Sequence, residues 1–259
     1  MSRAKEALKQ VFRAAGLEVT RSSPRPDPPS TPPPKRYYFE IDETFKSIFR
    51  EGVKRSGSTH DPEVVHQRLY NALQFLRYTV DLDGEVAECG AFQGLSSFVF
   101  CNYIRLFRPE FDGGGYHIFD SFEGLSEPSA QDVPEQTAAT IDKQFQQAGA
   151  FQGSLETVKS TLRDFPRIEY HRGWIPQSLE GIPEKQYKFV HLDLDLYVPI
   201  KGSVEYFYPR MVKGGVIVID EYGFPRWPGA RKAIDEFCND HGLITPVSLT
   251  TGNGVLIKK

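Results

Sequence analysis

Four carboxylates fall in two short stretches, each at the end of an apolar run. Asp193 and Asp195 close Phe189-Val-His-Leu-Asp-Leu-Asp-Leu-Tyr197, and Asp220 and Glu221 close Gly214-Gly-Val-Ile-Val-Ile-Asp-Glu-Tyr222. In open α/β sheets the ligand sits outside the carboxyl ends of the strands, so Asp193, Asp220 and Glu221 are expected to face one crevice. Carboxylates crowded in this way repel one another unless a cation neutralises them. An all-oxygen donor set without His or Cys suits a hard ion, Mg²⁺, shared with water and substrate oxygens. Any one of these acids reads equally well as a helix cap; their recurrence on consecutive strands is what points to a metal.

A second constellation lies upstream. Gly84-Glu-Val-Ala-Glu88-Cys-Gly90-Ala-Phe-Gln-Gly94-Leu-Ser96-Ser97 reads as a buried strand, a glycine turn and a helix whose first turn carries hydroxyls. Glycines let the backbone approach a ligand, and a helix N-terminus offers unpaired N–H groups. The spacing is G-x-x-x-G, so the pyrophosphate fingerprint is missing, and a tight strand-to-helix turn would need glycine without any ligand. The next apolar run, His117-Ile-Phe-Asp120, ends in an acid placed to accept ribose hydroxyls, or else to act as a plain cap. With Glu88 it brings two negative charges to the turn. That pair repels a pyrophosphate and favours a ligand carrying hydroxyls and an ammonium, which tips the reading from NAD toward S-adenosylmethionine. Ser121-Phe122-Glu123-Gly124 could fold over such a ligand, and Trp174 could cover its adenine or serve as a core aromatic. The expected cofactor residues are Glu88, Gly90, Gly94, Ser96, Asp120, Ser121, Phe122 and Trp174.

The elements that must position these residues are legible as an alternation. Short apolar runs at Glu85–Glu88, Tyr116–Phe119, Ile168–His171, Phe189–Leu192 and Val216–Ile219 alternate with helical patterns near Leu95–Phe107, Ser154–Asp164, Ile200–Tyr208 and Ala230–Asp240. Strands joined through helices form a parallel, doubly wound sheet. Ile244–Leu249 and Val255–Lys258 flank Thr251-Gly-Asn-Gly254, a hairpin signal that adds an antiparallel strand. Upstream, Asp61-Pro62-Glu63 reads as a helix start with Asp61 as the cap. Seven of the 19 prolines fall between Pro24 and Pro34, in a stretch that cannot build a core. The expected organisation is an amphipathic N-terminal helix at 1–20, a Pro-rich linker at 21–36, a helical substrate-side segment at 37–83 and a cofactor-binding core at 84–259.

Composition narrows the classes. The 259 residues carry 31 Lys+Arg against 34 Asp+Glu, a net charge of −3 without a basic patch, which excludes a nucleic-acid partner. Cys89, Cys101 and Cys238 are widely spaced and odd in number, so they read as reduced, buried thiols. The absence of a long apolar run or signal-like segment gives the expectation of a cytoplasmic protein without integral membrane association. His117 and His191 lie inside strands and are expected to bond locally. Serine-hydrolase, zincin and P-loop patterns do not occur.

Taken together, Glu88-Cys-Gly-Ala-Phe-Gln-Gly94, Asp120-Ser-Phe-Glu-Gly124, Gly173-Trp174, Leu192-Asp-Leu-Asp-Leu-Tyr197, Gly214 through Tyr222 and Pro228-Gly-Ala-Arg-Lys-Ala-Ile-Asp235 resemble a known family. It is that of the Mg²⁺-dependent sugar O-methyltransferases of the macrocin and mycinamicin (TylF) type, a branch of the class I S-adenosylmethionine-dependent methyltransferases. The likeness runs from about Pro62 onward. It implies a Rossmann-like α/β fold with a mostly parallel seven-stranded sheet, an antiparallel C-terminal hairpin strand and helices on both faces. It also implies Asp193, Asp220 and Glu221 as metal ligands, with Glu221 standing where the family usually has Asp, and Asp193 as general base. The segment around Tyr37 to Thr59 and the loop after Gly124 are then expected to close over a small-molecule or glycosylated acceptor. A homo-oligomer, dimer or higher, is expected. Two rivals are an NAD-dependent dehydrogenase, disfavoured by the glycine spacing and the lack of a Tyr-x-x-x-Lys pair, and a catalytically silent adenosine-binding module.

Overall fold

The computed structural model of the protein describes residues 38–58, 62–133 and 147–259. The expected N-terminal helix, the Pro-rich linker and the Asp61 cap lie outside these residues. Among the described residues, a one-turn helix α1 (Tyr38–Ile41) precedes α2 (Glu43–Ser56) and α3 (Pro62–Thr79). The alternation then follows: β1 (Glu85–Cys89), α4 (Leu95–Phe107), β2 (Tyr116–Asp120), α5 (Leu155–Thr161), β3 (Glu169–Arg172), β4 (Tyr187–Leu192), α6 (Tyr197–Phe207), β5 (Met211–Ile219) and α7 (Pro228–Asp240). Two short strands, β6 (Val247–Ser248) and β7 (Gly254–Ile257), end the chain. The expected strand at Ile244–Leu249 shrinks to two residues, and the helix expected at Ser154–Asp164 stops at Thr161, where Leu162 leaves helical geometry.

The seven strands run in the order β3-β2-β1-β4-β5-β7-β6. All pairs through β5 are parallel, and β7 is antiparallel to both β5 and β6. This is the mostly parallel sheet with an antiparallel end that the alternation predicts. Central strands of such a sheet are covered on both faces, which is why β1, β4 and β5 read as continuous apolar runs. Successive side chains point to opposite faces. Val86, Ile118, Phe189 and Val216 pack with α2 to α5, whereas Ala87, Phe119, Val190 and Ile217 pack with α6 and α7.

The sequence reading separated 37–83 from 84–259, but in the structure they share one compact unit. Asp42 caps α2 by accepting from the Phe45 N–H at 2.9 Å, and this sets Phe45 and Phe49 into the same cluster as the β1 and β4 side chains. Gly52 is needed for that approach: a Cβ there would lie 2.8 Å from Leu95 and 2.9 Å from Phe98. From α3, Leu69, Leu73 and Leu76 complete the cluster, so α3 is anchored across the sheet edge that carries the acids. No described helix is long and apolar enough to cross a membrane. All three cysteines are buried and free.

Candidate functional site

A cavity of about 850 Å³ opens at the carboxyl ends of β1, β2, β4 and β5. It lies within the range of small-molecule and cofactor pockets. Of the eleven residues singled out from sequence, Gly90, Ser96, Asp120, Ser121, Trp174, Asp193, Asp220 and Glu221 line it. Three others are placed elsewhere and require correction.

Glu88 is one of these. It points away from the cavity into the layer between sheet and α4, where it is wholly buried. There its carboxylate accepts from the Ser97 hydroxyl, from the Tyr116 hydroxyl at 2.9 Å and from His191 Nδ1 at 3.3 Å. Its position one residue before the strand end puts its side chain on the covered face, and strand alternation decides this whatever its charge. Phe122, the second, is also buried in the core, and only its backbone serves the site. Gly94 starts α4 in the left-handed region, with φ of 83°, and shapes the turn without lining the cavity.

The turn itself is held by Asp120. Its Oδ2 accepts from the Ala91 N–H at 2.7 Å and the Phe92 N–H at 3.1 Å, while Oδ1 accepts from the Phe122 N–H at 2.6 Å. A carboxylate has about four lone-pair sites, so capacity for a ligand hydroxyl remains at Oδ1. Gly90 has a reason beyond ligand approach. At φ of 89° it passes so close to the end of β4 that a Cβ would fall 1.9 Å from the Asp193 carbonyl oxygen. The glycine therefore couples the turn to the acid cluster, and the Asp193 N–H bond to the Cys89 carbonyl at 2.9 Å does the same. Trp174 is 37 % exposed and lines the cavity, which removes the core-aromatic reading.

The acids are gathered differently from the expected trio. Carboxylate oxygens of Asp193, Asp195 and Glu221 all lie within 4.8 Å of one another. Asp220 stands beside them with both oxygens engaged: Oδ2 faces Arg68 Nη1 at 2.8 Å, and Oδ1 accepts from Asn253 Nδ2 at 2.6 Å. Asp195 was missed as a ligand candidate. The signal was available in D-x-D: Asp195, just before the bend that leads into α6, adopts φ of 60°, uncommon for a non-glycine residue. Arg68 and Asn253 were also missed, because nothing local in sequence links α3 or the β6–β7 turn to these strand ends.

The electrostatics follow from burial and crowding. Burial pushes the Asp193 carboxyl up to about 6, with Asp220 adding to the rise. Burial, then Asp193 and Asp220, raise Glu221 well above the carboxylate range. Asp220 moves the other way, to about 2, because Arg68 and His191 overcome its desolvation. His191 rises to about 10 against its own burial through its contacts with Asp220 and Glu88, and so carries a charge between them. Glu221 Oε2 is buried without a hydrogen-bond partner. Burial and then Asp193 raise Asp195 as well, so three clustered carboxylates, each held above its usual range, and an orphaned oxygen together fit a divalent cation bound by oxygen ligands.

Comparison with known proteins identifies the family and the fold. Residues 63–259 match the family model described as macrocin-O-methyltransferase (TylF). The chain is 27 % identical to the Streptomyces olivaceus 8-demethyl-8-(2,3-dimethoxy-alpha-L-rhamnosyl)-tetracenomycin-C 4'-O-methyltransferase, over 75 % of this chain and 76 % of that protein. It is 25 % identical to the Micromonospora griseorubida mycinamicin III 3''-O-methyltransferase, over 76 % and 80 % respectively. Among solved structures, the O-methyltransferase NovP superposes with a TM-score of 0.66 at 17 % identity, covering 86 % of this chain and 99 % of NovP. The calicheamicin methyltransferase CalS11 gives 0.61 at 20 %, covering 92 % and 99 %. These likenesses in structure establish the shared fold.

Proposed function

The chain belongs to the macrocin-O-methyltransferase (TylF) family, and from that premise we propose that it transfers a methyl group from S-adenosylmethionine to a hydroxyl of a sugar carried by a small molecule. The observation that carries this reading is the junction at Gly90, where the glycine turn meets the strand end that bears the carboxylate cluster, both lining one cavity. The tetracenomycin relative is named for 4'-O-methylation of a rhamnosyl-bearing compound, and the mycinamicin relative for 3''-O-methylation.

In this reading S-adenosylmethionine supplies an electrophilic methyl and a divalent ion supplies positive charge against the oxygen anion that forms in the acceptor. Asp193, Glu221 and Asp195 would hold the ion. Asp220 could join them only by leaving Arg68. Asp193 would also take the hydroxyl proton, as the carboxylate that adjoins both the Gly90 turn and the acid cluster. Asp120 orders the turn and offers Oδ1 to a ribose hydroxyl, Ser96 and Ser121 add polar groups at the same wall, and Trp174 presents a ring for the adenine. Holding the two reactants in one cavity would make the displacement effectively unimolecular.

The test is turnover, read as S-adenosylhomocysteine release, across deoxysugar-bearing small molecules with and without EDTA. Turnover that vanishes in EDTA and returns with Mg²⁺ supports the reading. Full turnover in EDTA removes the metal role. Calorimetry showing NAD binding without S-adenosylhomocysteine binding would restore the dehydrogenase.

A further inference from the structure

A second group of metal-binding side chains lies on the β2–β3 edge of the sheet, apart from the acid cluster. His117 pairs in register with Glu169, and Phe119 with His171. Residues two apart on a strand share a face, so His117, Glu169 and His171 project to the same side. His117 Nδ1 stands 3.1 Å from His171 Nε2 and 3.8 Å from Glu169 Oε2, and one ligand atom from each residue lies within 4.8 Å of the others. Ligands around a tetrahedral zinc ion, bound at about 2.0–2.2 Å, sit roughly 3.3–3.6 Å apart. The 3.1 and 3.8 Å separations from His117 Nδ1 bracket that range.

The far nitrogen of His117 is also provided for. His117 Nε2 is 2.6 Å from Glu85 Oε2. An ionised carboxylate can only accept, so the proton sits on Nε2 and Nδ1 presents a bare lone pair toward His171 and Glu169. A carboxylate behind a ligating imidazole is the usual outer support of a zinc histidine. We propose that His117, His171 and Glu169 form a site for a divalent transition ion of the zinc type, with Glu85 orienting His117 and a water in the fourth position.

Burial lowers the pKa of both imidazoles, so they rest in the neutral, ligating form. Lys185 lies 3.0 Å from Glu85 Oε2 and 3.4 Å from Glu169 Oε1. One ammonium facing two carboxylates leaves the group net negative before an ion enters, and Glu169 Oε2 remains for the ion. Partial exposure of Glu169 and His171 supplies an entry path. The N₂O donor set prefers zinc, nickel, cobalt or copper to magnesium, in contrast to the all-oxygen cluster. An ion here would tie the edge strand β3 to β2. Those strands lead directly to Trp174 and Asp120, so the brace lies beneath the cofactor wall.

The experiment uses the full chain, stripped by chelator and titrated with Co²⁺ in excess Mg²⁺, followed by visible absorption and by calorimetry with Zn²⁺. One ion per chain with intense four-coordinate cobalt bands is expected in the wild type and in Glu221→Gln. In His171→Ala the bands vanish and Zn²⁺ affinity falls at least about 100-fold, and Glu85→Gln weakens it about 10- to 100-fold. Glu169→Gln, at a more exposed position, provides a second ligand variant should His171→Ala fold poorly, and its bands are expected to shift or vanish. Absence of cobalt bands in the wild type, or bands and affinity unchanged in His171→Ala and Glu169→Gln, overturns the proposal.

Discussion

Glu88 and Glu221 are both glutamates at strand ends and both are buried, at 0 % and 1 % exposure, yet they play opposite parts. Glu88 is surrounded by donors: two hydroxyls and the His191 imidazolium meet its oxygens. Glu221 lies among acids, with Arg68 Nη1 at 3.9 Å from Oε1 as its cationic neighbour and no partner at Oε2. A buried carboxylate costs little when its lone pairs are satisfied and a great deal when they are not. The first therefore stabilises the fold, whereas the second costs stability that, under the proposed function, a bound cation would restore. His191 stands between the two regions, 3.3 Å from Glu88 and 3.8 Å from Asp220.

The contrast can be broken most severely at its catalytic end. Asp193→Asn is expected to lower kcat by about 10²- to 10⁴-fold while S-adenosylhomocysteine affinity, measured by calorimetry, stays nearly constant. Unchanged kcat would remove Asp193 as the proton acceptor. At the structural end, Glu88→Ala strands the His191 charge, the Ser97 hydroxyl and the Tyr116 hydroxyl in the core. Urea unfolding should show a loss of about 3–5 kcal/mol. A loss below 1 kcal/mol would mean that the two glutamates differ less than their surroundings suggest.

Glu221→Gln sharpens the comparison by moving stability the other way. Removing one acid from the crowded, buried cluster should raise Tm of the chelator-treated protein by about 2–4 °C, on the order of 1 kcal/mol, while Mg²⁺ ceases to stabilise it. A lower Tm in the variant would place Glu221 with Glu88 as a structural acid.

The smallest expected effect is in pH dependence. Asp193 has a folded pKa raised from 3.8 to about 6, so the folded protein binds more protons than the unfolded chain in that window. Stability of the metal-free protein should therefore decline as pH rises from about 4 to about 6. Mg²⁺ should abolish that decline. His191 adds a second decline on the alkaline side, since a pKa raised to about 10 favours folding fully below about 6.5 and loses that contribution as pH approaches 10. Thermal melts across pH, with and without Mg²⁺, check both signs.

Much of this was legible in the sequence because it depends on local pattern. Apolar runs alternating with amphipathic segments define the parallel sheet, and a parallel sheet brings the ends of β1, β2, β4 and β5 to one crevice. Asp193, Asp120 and Trp174 follow from being at or just beyond those ends. What failed depends on direction and on distant partners. Glu88 is one residue short of the strand end, and the two-residue period turns it inward. Asp220 was expected as a free ligand, but Arg68 on α3 and Asn253 in the last hairpin engage it, and no local pattern reports contacts across such separations. The Gly90 requirement looked like ligand approach and is met equally by the passing backbone of Asp193.

The central claim is that the strand-end acids form a cation site rather than a cluster of caps. Calorimetric titration of Mg²⁺ into the S-adenosylhomocysteine-bound protein, run in two buffers of different ionisation enthalpy, tests it most directly. One ion should bind with proton release, because Glu221, Asp195 and in part Asp193 must lose protons to ligate, and both binding and proton release should be lost in Glu221→Gln. Absence of binding, or identical binding heats and proton release in Glu221→Gln, would contradict it.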